Sequence, residues 1–362
     1  MKSIVNKNLA KSDYAFYLDI VLLSDIIFNM RVTTPERLKD DEEVETTLRP
    51  RRFADFVGQS RIKEILNISI EAAKRRGEPM AHRLFFGPPG LGKTTLAYII
   101  SRELGVNITT TSGPVVERPA DLAGILTKLG TRDTFFIDEI HRLGKAVEEY
   151  LYPVMEEFKI ELMLDQGANA RSVSLTVNPF TLIGATTRSG LLSAPLRSRF
   201  ELTFRLDYYS SDELRHIIFR SAKILGISID EESAVEIASR ARGTPRIANR
   251  LLKRVRDYAE VKSNGTINIE ITRFALAQLE VDEKGLDELD KRILTTIIDM
   301  YQGGPVGLKT IAASISEDPQ TIEEIFEPYL LQLGFIKRTS KGREATPLAY
   351  KHFGKQHQKK FF

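Results

Sequence analysis

Cysteine is absent from all 362 residues. That excludes disulfides, thiolate metal sites, Fe–S clusters and a cysteine nucleophile. A reducing compartment suits such a chain, and a cytoplasmic location is expected. Histidine is scarce, with five in the chain and none in an H-E-x-x-H pair, which argues against a zinc hydrolase. A net charge of +3 is too small to indicate a nucleic-acid partner by itself. Long apolar runs are also missing. The nearest is residues 14–28, which carries Asp19 and Asp25. It falls short of the roughly 20 apolar residues that a membrane span needs. No small-residue cleavage pattern follows it, so a signal peptide is not indicated. Residues 1–46 therefore read as a dispensable leader and linker, with Met30 a possible true start and the acidic run 40–45 a solvated connection.

With 42% hydrophobic residues the chain can bury real cores, and its length predicts two or three units. Over 47–209 short apolar runs alternate with helical patterns. Residues 84–86, 134–137 and 181–185 read as buried parallel strands, and 94–104 and 145–158 as helices between them. That alternation predicts an α/β fold with its functional loops at the carboxyl ends of the strands. Residues 210–280 read as a helical domain, opening on a Ser211-Asp212-Glu213 cap. A third unit is expected over 281–350, followed by a basic tail, 351–362. No internal repeat or low-complexity tract appears.

Gly87-Pro88-Pro89-Gly90-Leu91-Gly92-Lys93-Thr94 fits G-x-x-x-x-G-K-[ST] in full, with an apolar strand before it and a helix after it. Glycines let backbone N–H groups close around phosphate oxygens, and the helix aims its positive end at the same charge. Lys93 is expected to reach the β- and γ-phosphates and the Thr94 hydroxyl to ligate Mg²⁺. The bland alternative is a Gly/Pro turn. The strand 134–137 then ends in Asp138 and Glu139. Adjacent carboxylates at a buried strand end are costly unless a cation or a reaction uses them. Asp138 is thus placed beside the Mg²⁺ shell, with Glu139 left to polarise the attacking water. Residues 183–188 form another apolar strand ending in hydroxyls, suited to hold that water or the γ-phosphate. Leu196-Arg197-Ser198-Arg199-Phe200 carries two arginines, either a solvated face or an arginine finger.

These motifs together resemble an AAA+ ATPase. The strings Thr111-Ser112-Gly113-Pro114, Gly184–Ser189, Arg242-Gly243-Thr244-Pro245-Arg246-Ile247-Ala248 and Gly303-Gly304-Pro305-Val306-Gly307-Leu308 are more specific. They resemble the RuvB family of bacterial Holliday-junction branch-migration motors from about residue 48 to 353. The resemblance implies an AAA+ core with a parallel sheet, a helical lid and a C-terminal winged helix. It implies a homo-hexameric ring on duplex DNA that uses ATP and Mg²⁺, acts on a junction bound by a RuvA tetramer, and joins the RuvC resolvase in a wider complex.

By position, the resemblance makes Gly87, Gly90, Gly92, Lys93, Thr94 and Thr95 phosphate and Mg²⁺ ligands and Asp138 with Glu139 the Walker B pair. Thr187 is then sensor 1, Arg199 the finger entering a neighbour's site, and Arg246 sensor 2. Leu48, Arg49, Glu156, Glu157, Phe158 and Tyr209 line the nucleotide pocket. Glu201 departs from the family, where glycine is common, and sets an acid two residues from the finger.

Residues 160–164 and 173–177 read as a β-hairpin. The resemblance makes the segment around 158–177 the RuvA-docking element, the alternative being a purely structural hairpin. Residues 308–316 and 321–333 have helix-turn-helix spacing, and the stretch from Phe335 reads as a wing. The second helix carries Glu323, Glu324 and Glu327, which repel phosphates. Residues 331–362 hold eight Lys or Arg against the single acid Glu344. Sequence-indifferent phosphate contact through Arg338 and Arg343 is expected. Three rivals remain. A clamp loader would end in a helical collar, an ATPase-regulated transcription factor would read bases, and a proteolytic unfoldase has no supporting feature. A strand-separating helicase is a close variant of the main reading.

Overall fold

The computed structural model describes residues 32–35, 46–163 and 172–356. Packing divides the chain into two compact units. One is Pro35–Leu225 with Gly243–Arg246; the other is Gly226–Arg242 and Ile247–Phe362 with Met1–Thr34, as far as these are described.

In the first unit the elements run α1 (Ser60–Arg76), β1 (Arg83–Phe86), α2 (Lys93–Leu104), β2 (Ile108–Ser112), α3 (Pro119–Leu126), β3 (Thr134–Asp138) and α4 (Lys145–Glu157). There follow β4 (Lys159–Met163), β5 (Ser172–Thr176), β6 (Thr181–Thr186), α5 (Ala194–Ser198), β7 (Leu202–Arg205) and α6 (Ser211–Leu225). Five strands form a parallel sheet in the order β2-β3-β6-β1-β7. The central strands are apolar between polar end residues, the pattern of a parallel sheet buried on both faces. Every residue of β6 is buried. Helix α1 buries Ile62, Leu66, Ile70 and Ala73 on one stripe, the spacing that an amphipathic helix presents to a core. The expected hairpin forms: β4 and β5 pair antiparallel with Ile160 opposite Leu175. Its turn lies outside the described residues.

At the amino edge of the sheet His82 is buried between two backbone groups. Its Nδ1 accepts from the Leu182 N–H at 2.9 Å, and its Nε2 lies 3.0 Å from the Met155 carbonyl. Nδ1 as acceptor leaves the proton on Nε2, so the ring is neutral. Burial lowers its pKa further.

The second unit holds β8 (Ser228–Ile229), α7 (Glu231–Arg240), most of α8 (Pro245–Lys262), β9 (Thr266–Ile267) and α9 (Ile269–Gln278). It continues with α10 (Glu288–Thr295), α11 (Leu308–Ile315), α12 (Pro319–Thr321), α13 (Glu327–Gln332), β10 (Ile336–Thr339), β11 (Gly342–Ala345) and α14 (Pro347–His352). A π-helical turn, Ile322–Phe326, joins α12 to α13. Antiparallel β10 and β11 make the wing. Leu286, Ile293, Leu294, Ile311, Phe326, Leu330 and Phe335 are core residues of this winged helix. Arg242 is buried in the same unit. It forms ion pairs with Asp290 and Asp287, donates to the Gly285 carbonyl at 2.7 Å, and its guanidinium lies 4.9 Å from the Tyr329 ring centroid.

Two expectations change here. Within the stretch expected to be a dispensable leader, Val32, Thr33 and Thr34 are buried. Glu327 does not face solvent to repel phosphates. Its side chain is 1% exposed and accepts from Arg338 Nε, from Arg343 Nε at 3.1 Å and from Arg343 Nη2 at 2.9 Å. The acid on the second helix holds the wing arginines instead.

Candidate nucleotide site

The loop after β1 sits at the carboxyl edge of the sheet, beside the ends of β6 and β3. The Gly87 N–H donates to the Thr186 carbonyl at 3.2 Å. Two glycines are required by space as well as by torsion. A Cβ on Gly87 (φ +140) would stand 2.5 Å from the Leu206 carbonyl oxygen, and one on Gly90 (φ +78) 2.7 Å from Thr244 Cγ2. Lys93 opens α2, buried, and its ammonium donates to the Gly87 carbonyl at 2.8 Å and the Pro88 carbonyl at 2.7 Å. Burial pulls its pKa down to about 8; Asp138 and Glu139 oppose the shift, and the Arg246 charge adds to it.

One helical position on, the Thr94 hydroxyl donates to Asp138 Oδ2 at 3.2 Å. Asp138 Oδ1 accepts the Glu139 N–H at 2.9 Å. Glu139 has left the strand at φ +46, and its carboxylate pairs with Arg142 at 2.9 Å. The Thr94 and Asp138 oxygens are hard donors that suit Mg²⁺. No group of three or more His, Asp or Glu among the described residues could hold an ion alone, so phosphate and water oxygens would complete the shell. Thr95 is half-buried one residue further along α2.

Around this loop stand several expected residues. Tyr209 donates its hydroxyl to the Leu91 carbonyl at 3.2 Å, and burial pushes its phenol up, so it remains a neutral donor. The Leu48 carbonyl accepts from Arg220 at 2.8 Å, and Arg49 stacks 4.6 Å over the Tyr98 ring of α2. Arg246 approaches Gly90 through its Cβ. Sequence reasoning missed Phe56, whose ring lies 3.1 Å from a Cβ placed on Gly92, and Thr244 against Gly90. Thr244 sat in a string already singled out; Phe56 carried no signal. Of the two hydroxyls expected at the end of β6, Thr186 is buried and 2.9 Å from His141 Nδ1, whereas Thr187 just beyond it is exposed.

Other expected residues are not at this cradle. Phe158 follows α4 and packs edge-on against Phe180 (centroids 5.8 Å), the residue that enters β6 at the amino edge of the sheet. Glu156 and Glu157 immediately precede it. All three lie at the opposite end of the strands from Lys93, so they do not line this chain's own phosphate loop. Arg199 keeps them company. Its Nε is 3.2 Å from Glu156, its Nη1 donates to the Pro195 carbonyl at 2.8 Å, and its guanidinium covers the Tyr152 ring at 4.4 Å. Glu201 is not the acid that meets it. Glu201, 64% exposed, reaches the buried Arg83 at 3.7 Å.

No helix among the described residues is long and apolar enough to cross a membrane. Three family models match in succession: the Holliday junction DNA helicase RuvB P-loop domain over 48–206, the RuvB AAA lid domain over 209–282 and the RuvB C-terminal winged helix domain over 283–354. The Holliday junction branch migration complex subunit RuvB of Flavobacterium johnsoniae is 58% identical over 90% of this chain and 96% of its own length. That of Flavobacterium psychrophilum is 57% identical over the same shares. Among solved structures, the Thermotoga maritima RuvB Holliday junction branch migration motor superposes with a TM-score of 0.77 at 51% identity. That match covers 86% of this chain and 99% of the other. With its phosphate loop, paired carboxylates and winged helix in this order, the chain belongs to the RuvB family, the AAA+ ATPases that drive Holliday-junction branch migration.

Proposed function

We propose that the chain works as a hexameric ring in the cytoplasm that pumps duplex DNA out of a four-way junction, each ATP being cleaved between two subunits. The observation that carries this reading is the location of Arg199, held by Glu156, Tyr152 and Pro195 away from its own Lys93. An arginine so placed serves a neighbour's triphosphate, and a finger supplied in trans accelerates cleavage by about 10³–10⁵. Glu156, Glu157 and Phe158 then border that neighbouring site.

Within one subunit Lys93 and the glycine-lined backbone bind the phosphates, Glu139 orients and deprotonates water, and Thr187 and Arg246 contact the γ-phosphate. Thr94 and Asp138 would hold Mg²⁺, which would offset the negative charge of the triphosphate. Leu48, Arg49 and Tyr209 enclose the rest of the nucleotide. Residues 47–209, 210–280 and 281–350 act as ATPase, lid and DNA-binding domains. The hairpin around 158–177 docks a RuvA tetramer, and RuvC joins the assembly. Arg338 and Arg343 of the wing contact DNA phosphates without reading bases.

Mixing Arg199→Ala with Lys93→Ala subunits tests the shared site. Neither variant alone builds an intact site, but a mixed pair builds one, so ATPase activity should reappear on mixing. Silence in the mixture contradicts a finger in trans. Incubation with ATP, RuvA and a synthetic four-way junction should yield duplexes only when Lys93 is intact.

A further inference from the structure

Strands β2 and β3 are parallel and run in step, with Ser112 opposite Asp138. The residues just past them, Gly113 and Glu139, therefore leave the sheet side by side, and tight turns follow at Gly113–Val115 and Ile140–Arg142. A Cβ on Gly113 would stand 2.4 Å from the Glu139 carbonyl oxygen, and 3.2 Å from the Arg142 carbonyl carbon and the Leu143 nitrogen. All three are backbone atoms, which cannot swing aside as the end of a side chain can. Gly113 is not among the glycines with positive φ, so close approach rather than torsion demands glycine here. The contact is also fixed from behind. Val116 donates its N–H to the Gly113 carbonyl at 3.3 Å and is buried in the core that holds Ile140 and Leu143. Glu139 itself sits in the left-handed region at φ +46, a costly conformation for a residue with a Cβ. Its N–H donates to Asp138 Oδ1 at 2.9 Å, and its carbonyl accepts the Arg142 N–H at 2.8 Å. The direction of its side chain is thus set by a backbone that has no slack on the side of Gly113.

We propose that Gly113 is a positioning residue for Glu139: its missing side chain lets the turn after β2 close on the Glu139 peptide and hold the carboxylate where it meets the attacking water. Gly113 touches no reacting atom and acts only through Glu139. Displacing a reacting group by about 1 Å costs on the order of 10²-fold in rate. Triphosphate binding should escape that loss, because the phosphate loop follows β1, and β6 and β3 stand between β1 and β2 in the sheet. The role rests on the reading of Glu139 as the residue that deprotonates water.

The test compares full-length Gly113→Ala with a control, Gly124→Ala in α3, where an added Cβ meets nothing within 4 Å. ATPγS affinity, steady-state ATPase activity on junction DNA and thermal melting are measured for each. Gly113→Ala should lower kcat by about ten- to a hundredfold and leave ATPγS affinity within about twofold. Gly124→Ala should change neither. Single-turnover hydrolysis followed over hours extends the comparison to Glu139→Gln and to the double variant, in which Gly113→Ala should cost nothing further. An unchanged kcat in Gly113→Ala, an equal loss of kcat and affinity, or a full further loss in the Glu139→Gln background overturns the positioning role alone. If Glu139→Gln hydrolyses ATP as fast as the parent chain, the reading of Glu139 falls and takes the role of Gly113 with it. Should Gly113→Ala melt below the assay temperature, Pro114→Ala replaces it, since it loosens the same turn by freeing φ and adds no atom facing Glu139. Its kcat should then drop several-fold at unchanged affinity, and no drop overturns the proposal.

Discussion

The guanidinium of Arg199 lies over the ring of Tyr152, 4.4 Å from its centroid, and its Nε is 3.2 Å from the Glu156 carboxylate. A cation over an aromatic face gains about 0.5–1 kcal/mol where solvent reaches it, and more where it does not. Ring and carboxylate together hold the guanidinium in place. Tyr152→Leu should therefore lower kcat for ATP several-fold with little change in KM. Steady-state ATPase assays on junction DNA check this; a change confined to KM would place Tyr152 in nucleotide binding instead.

Lys93, at about 8, is partly neutral in mildly alkaline solution. Triphosphate favours its charged form, so nucleotide binding at pH 8–9 should take up as much as one proton and binding at pH 6.5 almost none. Affinity should correspondingly decline as pH rises through about 8. Calorimetry of ATPγS binding in buffers of different ionisation enthalpy reads the proton directly, and Lys93→Arg should abolish the uptake.

The buried carboxylate of Glu327 is held below the ordinary value of 4.5: burial pushes it up, but hydrogen bonds from Arg338 and Arg343 more than offset this. A carboxylate depressed in the folded state stabilises above its ordinary value, and that contribution is lost as pH falls through the lower folded value. The winged helix should accordingly weaken below about pH 4.5. Glu327→Gln should cost roughly 1–3 kcal/mol at neutral pH and flatten that acid limb, as followed by denaturant melts across pH.

Arg338 is the more open of the two wing arginines, half exposed where Arg343 is largely covered. Arg338→Ala should weaken binding to all duplexes alike and reduce the salt slope by about one unit. Titrations over a range of salt on several unrelated duplexes decide it. Loss confined to one sequence would mean base readout.

His82 should stay neutral below its usual 6.5, because it is buried and its Nδ1 is already committed to the Leu182 N–H. Unfolded chains take up the proton first as pH falls under 6.5, so the folded ATPase unit loses stability there. Imidazole ¹⁵N shifts at pH 5.5 should still report one protonated nitrogen, Nε2.

The sheet was legible in the sequence because buried parallel strands are apolar on both faces, and residues 84–86, 134–137 and 181–185 carry that pattern within a residue of β1, β3 and β6. The phosphate loop was legible because its torsions demand glycine. Which end of the sheet a residue occupies is another matter. Glu156–Phe158 and Lys93 belong to one reaction by resemblance, yet stand at opposite edges. Glu327 was misread because an acid on a helix resembles a solvated face until its partners, 11 and 16 residues on, fold back over it. Glu201 stands two residues from Arg199 in the sequence, but its partner is the buried Arg83, which lies far away along the chain and is brought near only by the pairing of β1 with β7. Residues 32–35 have no periodic pattern, and three of them are held by their carbonyl oxygens, which every residue possesses.

Arg242 is anchored to Asp290 and Asp287 at the start of the winged helix and is followed directly by Gly243-Thr244-Pro245-Arg246. Only four peptide bonds separate this buried ion-pair network from Arg246. Removing either carboxylate would leave the guanidinium buried without its full counter-charge, so the network cannot lose its parts one at a time.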